Sequence, residues 1–257
     1  MATAIRRNSQ ISESEWAARQ ELAACYRVFD MLGWSEMIYN HITVKVPDEE
    51  GAFLINPFGL HFSEVTASNL VKIDIDGNKL DDTPYPVNLA GFVQHGVFHR
   101  HLPDAHCIMH THTTAGMAVS SVEGGLRPIN FYACNFAGQL AYHDFEGVTV
   151  RSEEGARLIE SLGDKRAMLL RNHGILVMGR TLPEAFLKHW ALQRACEIQL
   201  ATASMSASMG PPLEVAPEVI AVHQRDLSMA QASPQVGKAD FDAMVRKVDR
   251  IDPGWRD

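Results

Sequence analysis

Residues 107–116 read Cys-Ile-Met-His-Thr-His-Thr-Thr-Ala-Gly, and the pattern changes from apolar to polar within this segment. The apolar start predicts a strand from Cys107, and the run from Thr113 predicts a turn into a helix. On a strand, residues two apart project from the same face at about 6.5 Å, a spacing at which two imidazoles can share one metal. His110 and His112 therefore predict a metal site at a strand end, with Cys107 facing away from it.

A second motif, Arg171-Asn172-His173-Gly174, lies between two apolar runs. Gly174 permits a tight backbone, so His173 is expected to project from a strand end or hairpin. Three neutral imidazoles would leave zinc, manganese or iron with an open position, which is typical of a catalytic metal. The alternative is that these are ordinary histidines satisfied by hydrogen bonds.

Periodicity predicts alternating strands and helices along the rest of the chain. A first helix should begin with the cap Ser12 and end at Gly33. The other expected helices cover residues 88–101, 113–122, 152–162, 185–204 and 241–248, and the expected strands cover residues 42–46, 53–55, 71–75, 107–111, 129–134, 148–150, 168–170 and 175–178.

Composition narrows the classes of function. With 46% hydrophobic and 21% charged residues among 257, the chain is typical of a globular protein. The net charge of -8 would repel a phosphate backbone, so we expect no nucleic-acid partner. No apolar run approaches membrane-spanning length and no signal peptide is visible, which predicts a cytoplasmic protein without membrane contact. The cysteines are too far apart in sequence to suggest a disulfide framework.

Several motifs together resemble the class II aldolase and adducin head domain family, in its adducin-like branch. The resemblance covers residues from about 15 to the C-terminus and rests on Pro86-Val87-Asn88, His95, Pro103-Asp104-Ala105, His110-Thr111-His112, Arg171-Asn172-His173-Gly174 and a closing segment from Phe241-Asp242 to Arg250-Ile251-Asp252-Pro253.

The resemblance implies an α/β fold, a three-layer α/β/α sandwich around a central, mainly antiparallel sheet. It also implies a divalent metal, zinc before manganese or iron, held by His110, His112 and His173. A homotetramer with active sites between subunits is implied as well. Tyr132 matches a tyrosine that serves family aldolases as a proton donor.

The chain departs from the aldolase pattern at the catalytic base and at the phosphate-binding site. The glutamate base, four residues before the position of His95, is replaced by Gly91, and two phosphate-binding serines are replaced by Leu89 and Ala90. Because an imidazole titrates near neutral pH, His41, His61 and His95 become the candidate proton shuttles.

These observations lead to one main hypothesis: a metal-dependent lyase acting on a small non-phosphorylated, carboxylated or hydroxylated compound, by retro-aldol cleavage or decarboxylation through a metal-stabilised enolate. The alternatives are a non-heme iron oxygenase acting on an aromatic substrate and a non-catalytic, adducin-like association module. We expect a flexible tail at residues 1–11, the aldolase-like domain at 12–210, and an arm at 211–257 that packs on the domain or on a neighbouring subunit.

Overall fold

The computed structural model describes residues 11–149 and 151–257, in which seven strands form one mixed sheet. The strands are β1 His41–Lys45, β2 Ala52–Ile55, β3 Val71–Asp74, β4 Cys107–Thr111, β5 Ala141–His143, β6 Ala167–Leu170 and β7 Gly174–Gly179. The order across the sheet is β3-β2-β1-β4-β7-β6-β5, and among the described strands only β5 and β6 pair in parallel.

Helices lie before, between and after these strands, and several of them begin at side-chain caps. Ser12, Asn88 and Thr181 each accept a hydrogen bond from the backbone N–H three residues later. The helices are α1 Glu13–Met31, α2 Leu89–His101, α3 Thr114–Ser120, α4 Phe131–Cys134, α5 Glu154–Leu162, α6 Leu182–Met209, α7 Pro217–Ala230 and α8 Lys238–Ile251.

Strand β4 lies in the middle of the sheet, between β1 and β7. Its bounds agree with the predicted strand at 107–111. The antiparallel register places His110 opposite His41 of β1 and opposite Leu176 of β7. A histidine that is distant in sequence therefore lies directly beside the predicted metal pair.

Alternating residues of β4 belong to two different apolar clusters, as the two faces of a buried strand require. Met109 packs in the cluster that contains residues of α1 and α6, whereas Ile108 packs in a cluster with Phe98 of α2 and Leu158 of α5. The predicted α/β class and the mainly antiparallel sheet are confirmed.

Two strand predictions are wrong. Residues 131–134 form the short helix α4, because Asn130 caps it by accepting a hydrogen bond of 2.9 Å from the backbone N–H of Ala133. Val148 and Thr149 are not in a strand, and Val150 lies outside the described residues. The sheet is extended instead by β5, which pairs with β6.

At the chain ends, helix α7 was not predicted, and the expected tail lies outside the described residues except for Ile11. Buried Phe241 and Val248 of α8 belong to the large apolar cluster that includes α1 and α6. Among the described residues, no helix combines the length and apolarity needed to cross a bilayer.

Candidate metal centre

Three histidine side chains converge where β4 ends and β7 begins. The Nε2 atoms of His110 and His112 are 2.8 Å apart, and those of His112 and His173 are 2.9 Å apart. One ligand atom from each of the three residues lies within 4.8 Å of the others. The structure thus brings together the three residues that the sequence predicted as metal ligands.

Hydrogen bonds on the opposite side of two rings fix which nitrogen carries the proton. Nδ1 of His110 is 2.9 Å from the carbonyl oxygen of Ile175, and Nδ1 of His112 is 2.7 Å from Oε2 of Glu36. Both oxygens are acceptors, so each Nδ1 donates and each Nε2 carries a lone pair.

Burial favours the neutral form of His110 and of His173. Together with neighbouring histidines, it lowers the pKa of His110 well below its usual value and the pKa of His173 to about 4. The Nε2 lone pairs of His110 and His112 face each other at 2.8 Å and repel one another unless a cation lies between them. The donor set therefore suits a divalent metal, with a carboxylate behind one ligand as is usual for metal-bound histidines.

The local backbone positions the ligands. Oδ1 of Asn40 accepts a hydrogen bond of 3.1 Å from the backbone N–H of His112. Asn172 adopts a left-handed conformation, with a φ of 55°, immediately before His173. A Cβ atom at Gly174 would lie 2.3 Å from the carbonyl oxygen of Thr111, so only glycine allows this close approach of β7 to the end of β4.

Glu36 supports the centre without being a proposed ligand, and its removal gives a first prediction. A Glu36→Gln protein should bind zinc about 10- to 100-fold more weakly, because partners of metal-bound histidines typically contribute that much affinity. Competition with a chelator measures the change, and Glu50→Gln, at another exposed glutamate, is the control. Equal zinc affinity of Glu36→Gln and the wild type would show that Glu36 does not support metal binding.

Two of the three candidate proton shuttles lie beside the histidine triad. His41 and His95 are buried, and the ring of His41 lies 5.0 Å from that of His110. Burial first, and then the neighbouring His112 and His173, lower the pKa of His41 to about 3. His41 is therefore neutral beside the candidate ligand His110, and its pKa lies far below the near-neutral value for which it was considered as a proton shuttle.

The position of Gly91 explains how His41 fits there. A Cβ atom at Gly91 would lie 2.9 Å from Cγ of His41 and 3.0 Å from Cδ1 of Ile55. Any side chain at residue 91 would therefore collide with the imidazole. The histidine ring occupies the space that the missing glutamate would need.

The other two predicted site residues lie elsewhere within one chain. His61 caps a short 3-10 helix, with Nδ1 2.8 Å from Oγ of Ser63. Tyr132 lies on α4, not on the expected strand, and packs edge-to-face against Trp190 at 5.3 Å. No hydrogen bond or ring contact joins His61 or Tyr132 to the three candidate ligands in the described part of the chain.

Four polar residues near the centre were not predicted as site residues. No sequence motif marked Glu36 or Thr43, because each contacts a histidine that is distant in sequence. His99 belongs to the conspicuous histidine cluster of residues 95–112, which was its only signal. Asn88 belongs to a family motif, and its buried Nδ2 has no hydrogen-bond partner among the described residues.

The structure combines a mixed sheet, flanking helices and three converging histidines at the end of a central strand, and comparison with known sequences shows the family to which such a chain belongs. The sequence model of the family described as "Class II Aldolase and Adducin N-terminal domain" matches residues 20–200. The chain belongs to this family, as the sequence motifs predicted.

Three relatives illustrate the range of the family. An aldolase II superfamily protein from Pseudomonas syringae is 39% identical, with a TM-score of 0.91 over 96% of this chain and 98% of that one. L-fuculose 1-phosphate aldolase from Glaciozyma antarctica is 25% identical, with a TM-score of 0.83 over 97% and 96%. Alpha-adducin of Rattus norvegicus is 40% identical in an alignment of 254 positions that covers 95% of this chain but only 34% of that protein.

Proposed function

We propose that the protein is a metal-dependent carbon–carbon lyase that acts on a small carboxylated or hydroxylated, non-phosphorylated substrate. The observation that carries the proposal is the convergence of the three Nε2 atoms of His110, His112 and His173, in a chain of the class II aldolase family. A divalent ion held there, zinc in our proposal, would supply Lewis-acid stabilisation of negative charge developing on a substrate oxygen. In the same proposal, the two apolar clusters of the sheet are the two interfaces of a three-layer α/β/α sandwich.

The chain's own residues supply the proton chemistry. In retro-aldol cleavage, His41 would accept the proton of the substrate hydroxyl as the carbon–carbon bond breaks and that carbon becomes a carbonyl. The other fragment keeps the electron pair and takes up a proton, for which Tyr132 of a neighbouring subunit is the proposed donor. His41 has the required position because its ring lies against Gly91 and beside His110.

A buried amide supports an oxygen-rich substrate. Oδ1 of Asn88 accepts from the backbone N–H of Gly91 at 3.1 Å, which assigns the other amide atom as Nδ2. An unsatisfied buried donor costs about 1–3 kcal/mol, and this Nδ2 has no partner among the described residues. A substrate carboxylate or hydroxyl oxygen near Gly91 would satisfy it.

The proposed role of His41 gives a second prediction. With zinc-loaded protein and a panel of small β-hydroxy ketones and β-keto acids, His41→Gln should lower kcat by about 10²- to 10⁴-fold, the usual contribution of a general base. Aldehyde and carbon dioxide release measure turnover, and His101→Gln, at an exposed histidine of α2, is the matched control. Unchanged kcat in His41→Gln would assign the base to another group.

Two other functions remain as outcomes of the same assay. Oxygen consumption with an aromatic substrate and bound iron would favour the oxygenase, since three histidines leave open positions on iron. Protein that is isolated without metal and that cannot be loaded would favour a non-catalytic module, and the similarity to alpha-adducin supports that alternative.

We further propose that the arm at 211–257 takes part in subunit contacts of a homotetramer. No residue of α7 is buried within the chain, and it exposes Val219, Val222 and Met229. It is attached to α4, the helix of Tyr132, by polar contacts such as Gln224 Nε2 to the carbonyl oxygen of Cys134 at 3.0 Å. A neighbouring copy that covers this apolar face would lie close to Tyr132.

The third prediction is that light scattering at micromolar concentration reports a tetramer. Replacing Val219 and Met229 by aspartate should shift it toward smaller species, because a charge buried in an apolar interface is costly. Glu218→Asp, on the same helix, is the control. A wild-type monomer of 28.5 kDa would contradict both the assembly and the role of Tyr132.

A further inference from the structure

A continuous chain of hydrogen bonds leads from His41 through buried side chains to a backbone carbonyl. Nδ1 of His41 lies 3.1 Å from Nε2 of His95, and Nδ1 of His95 lies 2.8 Å from Oγ1 of Thr43. The same hydroxyl lies 2.7 Å from Nε2 of His99, whose Nδ1 is 3.1 Å from the carbonyl oxygen of Ala105. Four hydrogen bonds thus link the candidate base to the loop before β4.

The carbonyl oxygen of Ala105, at the end of the series, determines which atom donates in each of the four hydrogen bonds. A carbonyl oxygen can only accept, so Nδ1 of His99 carries the proton and Nε2 accepts. The hydroxyl of Thr43 must then donate to His99, which leaves its oxygen to accept from Nδ1 of His95. Nε2 of His95 accepts in turn from Nδ1 of His41.

The alternation at His95 and His99 holds only if each of these two rings carries one proton, and burial provides that condition. The three rings are almost fully buried. Burial lowers the pKa of His99 to about 3 and the pKa of His95 well below its usual value. The reverse direction would set a lone pair of His99 against the lone pairs of the Ala105 carbonyl in a site without free access to solvent.

We propose that Thr43, His95 and His99 are positioning residues that fix the tautomer of His41, with the proton on Nδ1 and the lone pair on Nε2. Nδ1 is committed to His95, and the edge of the ring that carries Cδ2 lies against Gly91. Nε2 is therefore the nitrogen left to receive a proton from a substrate. This consequence rests on the proposed function, whereas the tautomer itself does not.

Substitutions at Thr43 test the chain without the need for a substrate. Long-range proton–nitrogen correlation spectra of histidine-labelled protein, as purified and after zinc loading, report which nitrogen of each ring carries hydrogen. His41→Gln assigns the His41 signal. We expect Nδ1–H in the wild type and in Thr43→Ser, which keeps the hydroxyl.

The Thr43→Val substitution interrupts the series of hydrogen bonds at residue 43. Donor and acceptor should then exchange in the hydrogen bond between His95 and His41. With no acceptor at its Nδ1, His95 is expected to carry its proton on Nε2 and to donate it to Nδ1 of His41, so that His41 becomes Nε2–H. His99→Leu removes the ring that connects Thr43 to the carbonyl oxygen of Ala105, and it should give the same Nε2–H tautomer at His41. This second variant keeps the test possible if Thr43→Val does not fold.

Three results would overturn the proposal: Nε2–H at His41 in the wild type, an unchanged His41 tautomer in a folded Thr43→Val or His99→Leu protein, or inversion in Thr43→Ser. A confirmed tautomer switch together with no lyase turnover would refute the proposed function alone. Lyase turnover that depends on His41, without the switch, would refute the positioning role alone.

Discussion

A His112→Ala protein is expected to lose its bound metal while it keeps its fold. His112 contributes the Nε2 atom that lies within 3 Å of the other two, so its removal leaves two imidazoles at the site. Loss of a supporting residue typically costs 10- to 100-fold in affinity, so loss of a ligand should cost more than about a hundredfold. Metal per chain after dialysis against a chelator measures the effect.

The control for this experiment is His101→Ala. His101 is exposed on α2, where its Nδ1 contacts the carbonyl oxygen of Val97 within the same helix. It should retain metal like the wild type, and circular dichroism should show the wild-type fold for both variants. One metal per chain in dialysed His112→Ala would show that the ligand assignment is wrong.

Local sequence pattern was sufficient for the parts of the centre that depend on a single segment. The strand spacing of His110 and His112 and the hairpin position of His173 follow from periodicity and from Gly174, and the structure brings the three residues together. The cap at Ser12 likewise marks the helix start that it predicted.

The sequence pattern failed at one local cap and at contacts between residues that lie far apart in the chain. The apolar letters of residues 129–134 suit a strand, but the cap at Asn130 begins a helix there. Glu36 lies 76 residues from the histidine that it orients, and Thr43 lies 56 residues from His99. Only the antiparallel register of β1 and β4 reveals that His41 is beside His110.

The structure changes the interpretation of Gly91. Sequence comparison marks it as the loss of a base, and the structure adds that its missing side chain accommodates the ring of His41. A Gly91→Glu substitution alone is therefore expected to displace that ring rather than to restore a family active site. Overpacking of this kind typically costs about 1–3 kcal/mol of stability.

The last prediction concerns sugar phosphates, which this protein should not cleave at an appreciable rate. Leu89, which is 56% exposed, and Ala90 stand where the resemblance places the phosphate-binding serines, and neither carries a hydroxyl. A doubly charged phosphate would therefore have too few hydrogen-bond donors at this site. Each lost charge-assisted hydrogen bond costs roughly 1.5–3 kcal/mol of binding free energy. Binding should therefore fail before chemistry begins.

The chemistry itself is altered at the same helix. A positioned base contributes about a hundredfold to ten-thousandfold in rate, and Gly91 cannot supply one, while His41 reaches the centre from β1 rather than from α2. Zinc-loaded wild type should thus show little retro-aldol turnover of fuculose, rhamnulose or ribulose phosphates, and less than it shows with the preferred non-phosphorylated compound. Turnover near one per second, about the lower end for ordinary enzymes, would contradict this account of Leu89, Ala90 and Gly91.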